Sequence, residues 1–339
     1  MKAAVFHGPE RGLVVQEWPK PVPEQGQVLV RVAACGICHT DLHYLDHGVP
    51  TAKPPPLVLG HEASGTIAEL GAGPKGWQEG DRVLLPAVFT CGECPRCREG
   101  RENICERMQM LGNHIDGAYA EYVVAPAREL IRVPPEVELA AACVIADALS
   151  TPYHAVVQRG QVRPGQVVAV FGCGGVGVNV VQFAAAAGAK VIAVDLRAAA
   201  LERALSLGAS AAVDASSGTP EKQVRALSSG GVDIAFEVVG RPESLNSALA
   251  SVRRGGRVVV VGYSAEKVAL AASRIMFFEL ELVGSLGCRP SDYPRIVELV
   301  RTKRIQLESV VTARLPLIEI QRGFDLLRHG EGLRTIVLP

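Results

Sequence analysis

A chain of 339 residues is too long for one compact core, so two domains are the expected organisation. Hydrophobic residues make up 48% and charged residues 21%, which excludes a disordered polypeptide. The 35 Lys and Arg balance the 35 Asp and Glu, and a formal charge of zero leaves no basic footprint for nucleic acid.

The opening MKAAVFHGPE lacks the apolar segment of a signal peptide, so a cytoplasmic protein is expected. The first third reads as short strands. GQVLVRVAACGIC alternates and is rich in Val, while GTIAELG, DRVLLPAV and EYVVAP are brief apolar runs closed by Gly or Pro. Such punctuation fits a partly open antiparallel barrel or sandwich. EWPKPVPEQG and VPTAKPPPLV read as loops, because proline gives no N–H to a ladder.

Near residue 150 the rhythm changes. VVAVFG, KVIAVD, AAVDA, VDIAFEVV and GRVVVVG read as buried strands, and VGVNVVQFAAAAGA and LRAAALERALSLGA as helices between them. Alternation of this kind implies a parallel sheet wound on both faces. The uncharged run from Val167 to Ala189 has the length of a membrane span, but FGCGGVG breaks it into strand, turn and helix, so no membrane association is expected. DYPRIVELVRTKR reads as an amphipathic helix, and RTIVLP as a last strand able to rejoin the first domain.

Gly172, Gly174 and Gly177 follow a strand and open a helix, and Asp195 ends the next strand. This context gives a G-x-G-x-x-G run its meaning: the turn, with Gly175 and Val176, lets backbone N–H groups meet a pyrophosphate. Asp195 would accept ribose hydroxyls and repel an extra phosphate, which favours NAD, although Arg197 could pair with that phosphate.

Nine cysteines without a secretion signal suggest metal binding rather than disulfides. Cys91, Cys94, Cys97 and Cys105 offer four thiolates on one loop, enough to close a tetrahedron around a structural zinc; an iron–sulfur cluster is the alternative for such a run. A second set is scattered: CGICHTDLH holds Cys38, and GHE holds His61 and Glu62. His39, His43 and His47 recur every four residues and offer a rival metal-binding face.

Together CGICHTDLH, GHE, the cysteine loop and GCGGVG, in this order, resemble the zinc-dependent medium-chain alcohol dehydrogenases over essentially the whole chain. The resemblance implies an α/β protein: a GroES-like β-barrel catalytic domain over residues 1–149 and 289–339, with a doubly wound Rossmann domain inserted at 150–288. It implies one catalytic and one structural zinc, NAD, a small-molecule alcohol substrate, and a homo-oligomer, tetramer or dimer. Cys38 and His61 would ligate the catalytic zinc, with Glu62 able to enter its shell and Asp41 orienting His61. Thr40 would take the substrate proton and His43 would end the relay, while His39 and Arg334 would face the cofactor pyrophosphate.

The family places its third ligand six residues before an aromatic residue; TPY supplies Tyr153 as that anchor, which points to Asp147, and Cys143 is four residues too early. A carboxylate there makes the ligand set harder, so exchange with cobalt should be easier. Ala87 or Val88 would stand where a bulky aromatic often lines the pocket, leaving room for a secondary or cyclic alcohol. Two alternatives within the fold are a zinc-free quinone-reductase-like enzyme, which would lack the cysteine loop, and a hydroxycyclohexene-carbonyl thioester dehydrogenase, suggested by IADALSTPY.

Overall fold

The computed structural model describes all 339 residues. Met1–Ser150, Gly287–Lys303 and Leu307–Pro339 form one unit, and Thr151–Leu286 with Arg304–Gln306 form the other.

The first unit is built around the strand Gln27–Gly36, which pairs antiparallel with Glu62–Leu70, Tyr122–Pro126 and Arg334–Leu338. Arg82–Leu85 and Ile131–Arg132 extend this sheet on one side, and Val311–Pro316 on the other. Valines and alanines at nearly every position of Gln27–Gly36 are buried, so β-branched side chains pack the centre of a curved sheet. A smaller sheet of Leu13–Glu17, Lys2–Phe6 and Leu57–Val58 shares its core, where Phe6, Leu57, Tyr119 and Phe324 are buried. The final strand does return to this sheet: Val337 sits opposite Cys35 and Ile336 opposite Gly36.

The second unit carries a six-stranded parallel sheet in the order Ala211–Asp214, Lys190–Asp195, Val167–Phe171, Val232–Glu237, Val252–Val260, Glu281–Gly284. Val168, Ala169 and Val170 have no exposed surface, as expected for a strand covered on both faces. The apolar run after Val167 resolves into the strand Val167–Phe171 and the helix Gly177–Ala186. No single helix is long and apolar enough to cross a membrane. Two elements differ from the sequence reading. The strand around GRVVVVG begins earlier, at Val252, because its first residue pairs with Val232 before a register shift. Glu281–Gly284 adds an edge strand whose residues are mostly exposed, so it carries no apolar signal.

Candidate metal centres and cofactor site

Four cysteine sulfurs close on one another in the loop after Val88–Phe89. The Sγ separations are 3.8 Å for Cys91 and Cys97, 3.5 Å for Cys94 and Cys97, 3.9 Å for Cys94 and Cys105, and 3.4 Å for Cys91 and Cys105. A tetrahedron with metal–sulfur bonds of about 2.3 Å has edges of about 3.8 Å, so the set matches a four-thiolate ion. Backbone N–H groups of Cys91 and Arg107 point at Cys105 Sγ, and that of Cys94 at Cys91 Sγ. The backbone at Glu93 and Cys94 pulls the Cys91 thiol down to about 6, whereas burial and the adjacent thiols push Cys97 up to about 12. Four sulfurs this close cannot all ionise beside one another without a cation, and a dication relieves that conflict.

The second cluster is assembled from three distant segments. The register that sets Gly36 opposite Glu62 brings the ends of two central strands together, so Cys38 and His61 meet just beyond them. Cys38 N-caps the helix His39–Leu45. Asp147 follows the buried 3₁₀ turn Cys143–Ala146, whose last carbonyl accepts hydrogen bonds from the Ser150 and Tyr293 hydroxyls, both at 2.8 Å. The donor atoms of Cys38, His61, Glu62 and Asp147 all lie within 4.8 Å of one another. Cys38 Sγ is 3.5 Å from Asp147 Oδ2, and His61 Nε2 is 3.9 Å from the same oxygen. Cys143, buried in the preceding turn, is not among these donors.

Partners behind the cluster fix its shape. Asp41 Oδ1 faces His61 Nδ1 at 3.6 Å, leaving Nε2 turned toward Asp147. Asp41 Oδ2 accepts the Tyr119 hydroxyl at 2.7 Å and the Cys38 N–H at 3.3 Å. The Tyr119 ring lies against Gly60, where an added Cβ would stand 2.8 Å from it, and Gly60 has a φ of +93°. Glycine is therefore required directly before His61. Burial works against a charge on His61, but Asp41 and Cys38 outweigh it and push its pKa well up. Burial raises the Glu62 carboxyl to about 7 against the pull of Arg334. Asp41 Oδ1, His61 Nδ1 and both Glu62 oxygens are buried without hydrogen-bond partners. A field that draws positive charge into a buried set of sulfur, nitrogen and oxygen donors suits a borderline dication.

Thr40 Oγ1 lies 3.7 Å from Cys38 Sγ. The rings of His39, His43 and His47 stand in a row, 6.0 and 5.5 Å apart. Arg334 is 4% exposed, donates to the Ile37 carbonyl at 2.9 Å, and sits 3.3 Å from Glu62 Oε1. The structure thus places Arg334 beneath the metal cluster, a position the motif gave no hint of. Tyr119 and Tyr293 belong to no motif; each acts through its hydroxyl on distant segments, Tyr119 on Asp41 and Gly36, Tyr293 on Ala146.

In the second unit, Gly172 and Gly174 lie in the turn after Val167–Phe171, and Gly177 opens the helix that follows. A Cβ on Gly177 would be 1.7 Å from the Gly172 carbonyl oxygen, so only glycine allows this helix to start so close to the strand. Above Gly174 the nearest atom to an added Cβ is Arg197 Nη2 at 3.8 Å, which leaves the backbone approachable. Gly175 and Val176 complete the turn, with Val176 as the N-cap. Asp195 Oδ2 accepts the Cys173 N–H at 2.8 Å, and Oδ1 accepts the Arg197 N–H at 3.0 Å. The strand order reverses between Val167–Phe171 and Val232–Glu237, and ligands of such sheets bind beyond the strand ends at that point. The residues present fit a dinucleotide.

Comparison with known proteins agrees. Residues 24–135 match the alcohol dehydrogenase GroES-like domain, and residues 175–302 the zinc-binding dehydrogenase domain. The chain is 36% identical to an alcohol dehydrogenase of Geobacillus stearothermophilus, over 100% of its own length and 99% of that protein's. It is 33% identical to an L-threonine 3-dehydrogenase of Bacillus licheniformis, covering 100% and 99%. It superimposes on alcohol dehydrogenase TADH from Thermus sp. ATN1 with a TM-score of 0.93 at 35% identity, covering 100% and 99%. The chain is an oxidoreductase of the zinc-binding medium-chain dehydrogenase family, in which a GroES-like domain is joined to an inserted Rossmann domain.

Proposed function

We propose that the protein oxidises a small secondary or cyclic alcohol to a ketone, reversibly, with NAD as hydride acceptor. The convergence of Cys38, His61 and Asp147 within 4.8 Å carries this reading. Cys38, His61 and Asp147 would hold a catalytic zinc, with Glu62 beside them, and Cys91, Cys94, Cys97 and Cys105 a structural one. Bound zinc supplies Lewis acidity toward an alcohol oxygen, and bound NAD supplies the hydride acceptor.

The chain's own side chains do the rest. Thr40, next to Cys38 Sγ, takes the hydroxyl proton and passes it toward His43. Burial, and then His47, hold the His43 pKa below its usual value, so the ring is neutral and able to accept a proton near neutral pH. Asp41 and Tyr119 hold His61 in one orientation. Gly172, Gly174, Gly175, Val176 and Gly177 would receive the pyrophosphate, and Asp195 the ribose hydroxyls; Arg334 is committed to Glu62 and the Ile37 carbonyl.

The preference for a secondary or cyclic alcohol is supported by the resemblance, which sets the small, buried Ala87 where a bulky aromatic often lines the pocket. A panel of primary, secondary, cyclic and aromatic alcohols with NAD and NADP tests the proposal. Fastest turnover of secondary or cyclic alcohols with NAD is expected; turnover of ethanol-sized alcohols alone would contradict it.

A homo-oligomer, dimer or tetramer, is supported by Met276, Phe277, Leu282 and Leu286, which are 63%, 72%, 40% and 57% exposed on and around an edge strand. Light scattering on purified protein tests it. A cytoplasmic location is supported by nine cysteines, none paired in a disulfide.

A further inference from the structure

We propose that His43 and His47 form a third metal site, one that takes up an exchangeable transition-metal dication from solution. The helix His39–Leu45 is continued by Asp46, whose φ of −109° and ψ of −27° keep the chain turning, so His47 comes round to the face that carries His43. The two ring centres are 5.5 Å apart and the planes inclined by 44°. Imidazoles four residues apart on one helical face are a chelating pair. Two of them on one ion, each with a metal–nitrogen bond of about 2.1 Å, bring their nitrogens within about 4.2 Å, which these ring positions permit after small rotations.

Other features fix which residues take part. His39 stands 6.0 Å from His43, farther than His47 at 5.5 Å, which leaves His43 and His47 as the closer pair. Asp46 is adjacent, yet both its carboxylate oxygens accept from Arg328, at 2.8 Å each. The site is therefore a pair of imidazoles without a carboxylate. His47 is exposed, so an ion enters without opening the fold. Imidazole donors select nickel, copper, cobalt and zinc over magnesium and calcium. Because His43 is the relay residue of the proposed reaction, an ion held on its ring removes that nitrogen from proton transfer; the inhibitory consequence rests on that reading, whereas the site itself does not.

The test uses holoenzyme carrying its resident zinc, titrated with nickel chloride by calorimetry while released zinc is measured. One nickel per chain is expected to bind without zinc release, and magnesium is expected not to bind. His47→Ala should weaken nickel binding at least about tenfold, leave turnover in chelator-treated buffer unchanged, and abolish inhibition by nickel. Arg328→Ala, which frees the Asp46 carboxylate, should tighten binding. No nickel uptake, uptake matched by zinc release, or equal affinity in His47→Ala would overturn the site. Nickel uptake that needs His47 but leaves turnover unchanged supports the site and removes His43 from the relay.

Discussion

Arg334 and Glu62 form an ion pair in the interior, with Nη1 3.3 Å from Oε1 and side-chain exposures of 4% and 0%. Both residues are buried, so each charge depends on the other and on the donors around it. Removing one partner of such a pair leaves an uncompensated buried charge and costs about 3–5 kcal/mol. Arg334→Met should lower stability in urea melts by up to that amount at pH 8, and by less at pH 6, where Glu62, already raised to about 7, takes up a proton instead. Glu62→Gln in the same chain should recover part of the loss, since it removes the stranded carboxylate. Unchanged stability in Arg334→Met would show the pair to be without energetic weight.

Tyr119 provides a separate test of how His61 is held. Tyr119→Phe removes the hydroxyl that donates to Asp41 Oδ2 at 2.7 Å and lies 3.1 Å from the Gly36 carbonyl oxygen, and keeps the ring. Partners at this remove from a metal typically tune affinity 10–100-fold. We expect about tenfold weaker zinc binding at the Cys38–His61–Asp147 cluster, read by chelator competition, with the cysteine loop unaffected. Equal zinc retention in variant and wild type would leave Asp41 without need of Tyr119.

Glu129 predicts a pH dependence. Its side chain is 6% exposed, burial raises its pKa above the ordinary 4.5, and Oε2 has no hydrogen-bond partner. The folded chain therefore keeps this proton to higher pH than the unfolded chain does. Between 4.5 and the raised folded value the native state binds more protons, so stability falls as pH rises through that window. Glu129→Gln keeps an acceptor for the Thr90 hydroxyl and abolishes this loss. Its melting temperature should exceed that of wild type at pH 8 and approach it at pH 5. A gap that does not widen between the two would refute the assignment.

Metal exchange should separate the two clusters. One sulfur, one nitrogen and carboxylate oxygen form a harder donor set than four sulfurs. Dialysis against cobalt should fill the Cys38 cluster first, seen as visible absorption with one thiolate's charge-transfer intensity. Simultaneous loading of both sites would contradict the ordering.

What the sequence made legible tracks how local each feature is. The cysteine loop and the glycine turn are contiguous, so spacing alone exposes them. Cys38, His61 and Asp147 come from separate segments, and only resemblance to a family links them before the fold is known. Tyr119 and Asp41 meet across 78 residues, and Arg334 reaches Ile37 across 297. Such pairs are set by tertiary packing, which no local pattern reports. The edge strand Glu281–Gly284 escaped for a different reason: its side chains face outward and leave no alternation.

Metal content of Asp147→Ala tests the central claim most directly. Wild-type protein should carry two zinc ions per chain. The variant should carry one, retained by the cysteine loop, and should lose alcohol turnover while its Rossmann unit still binds NADH. Two zinc ions in Asp147→Ala, with turnover intact, would contradict the account.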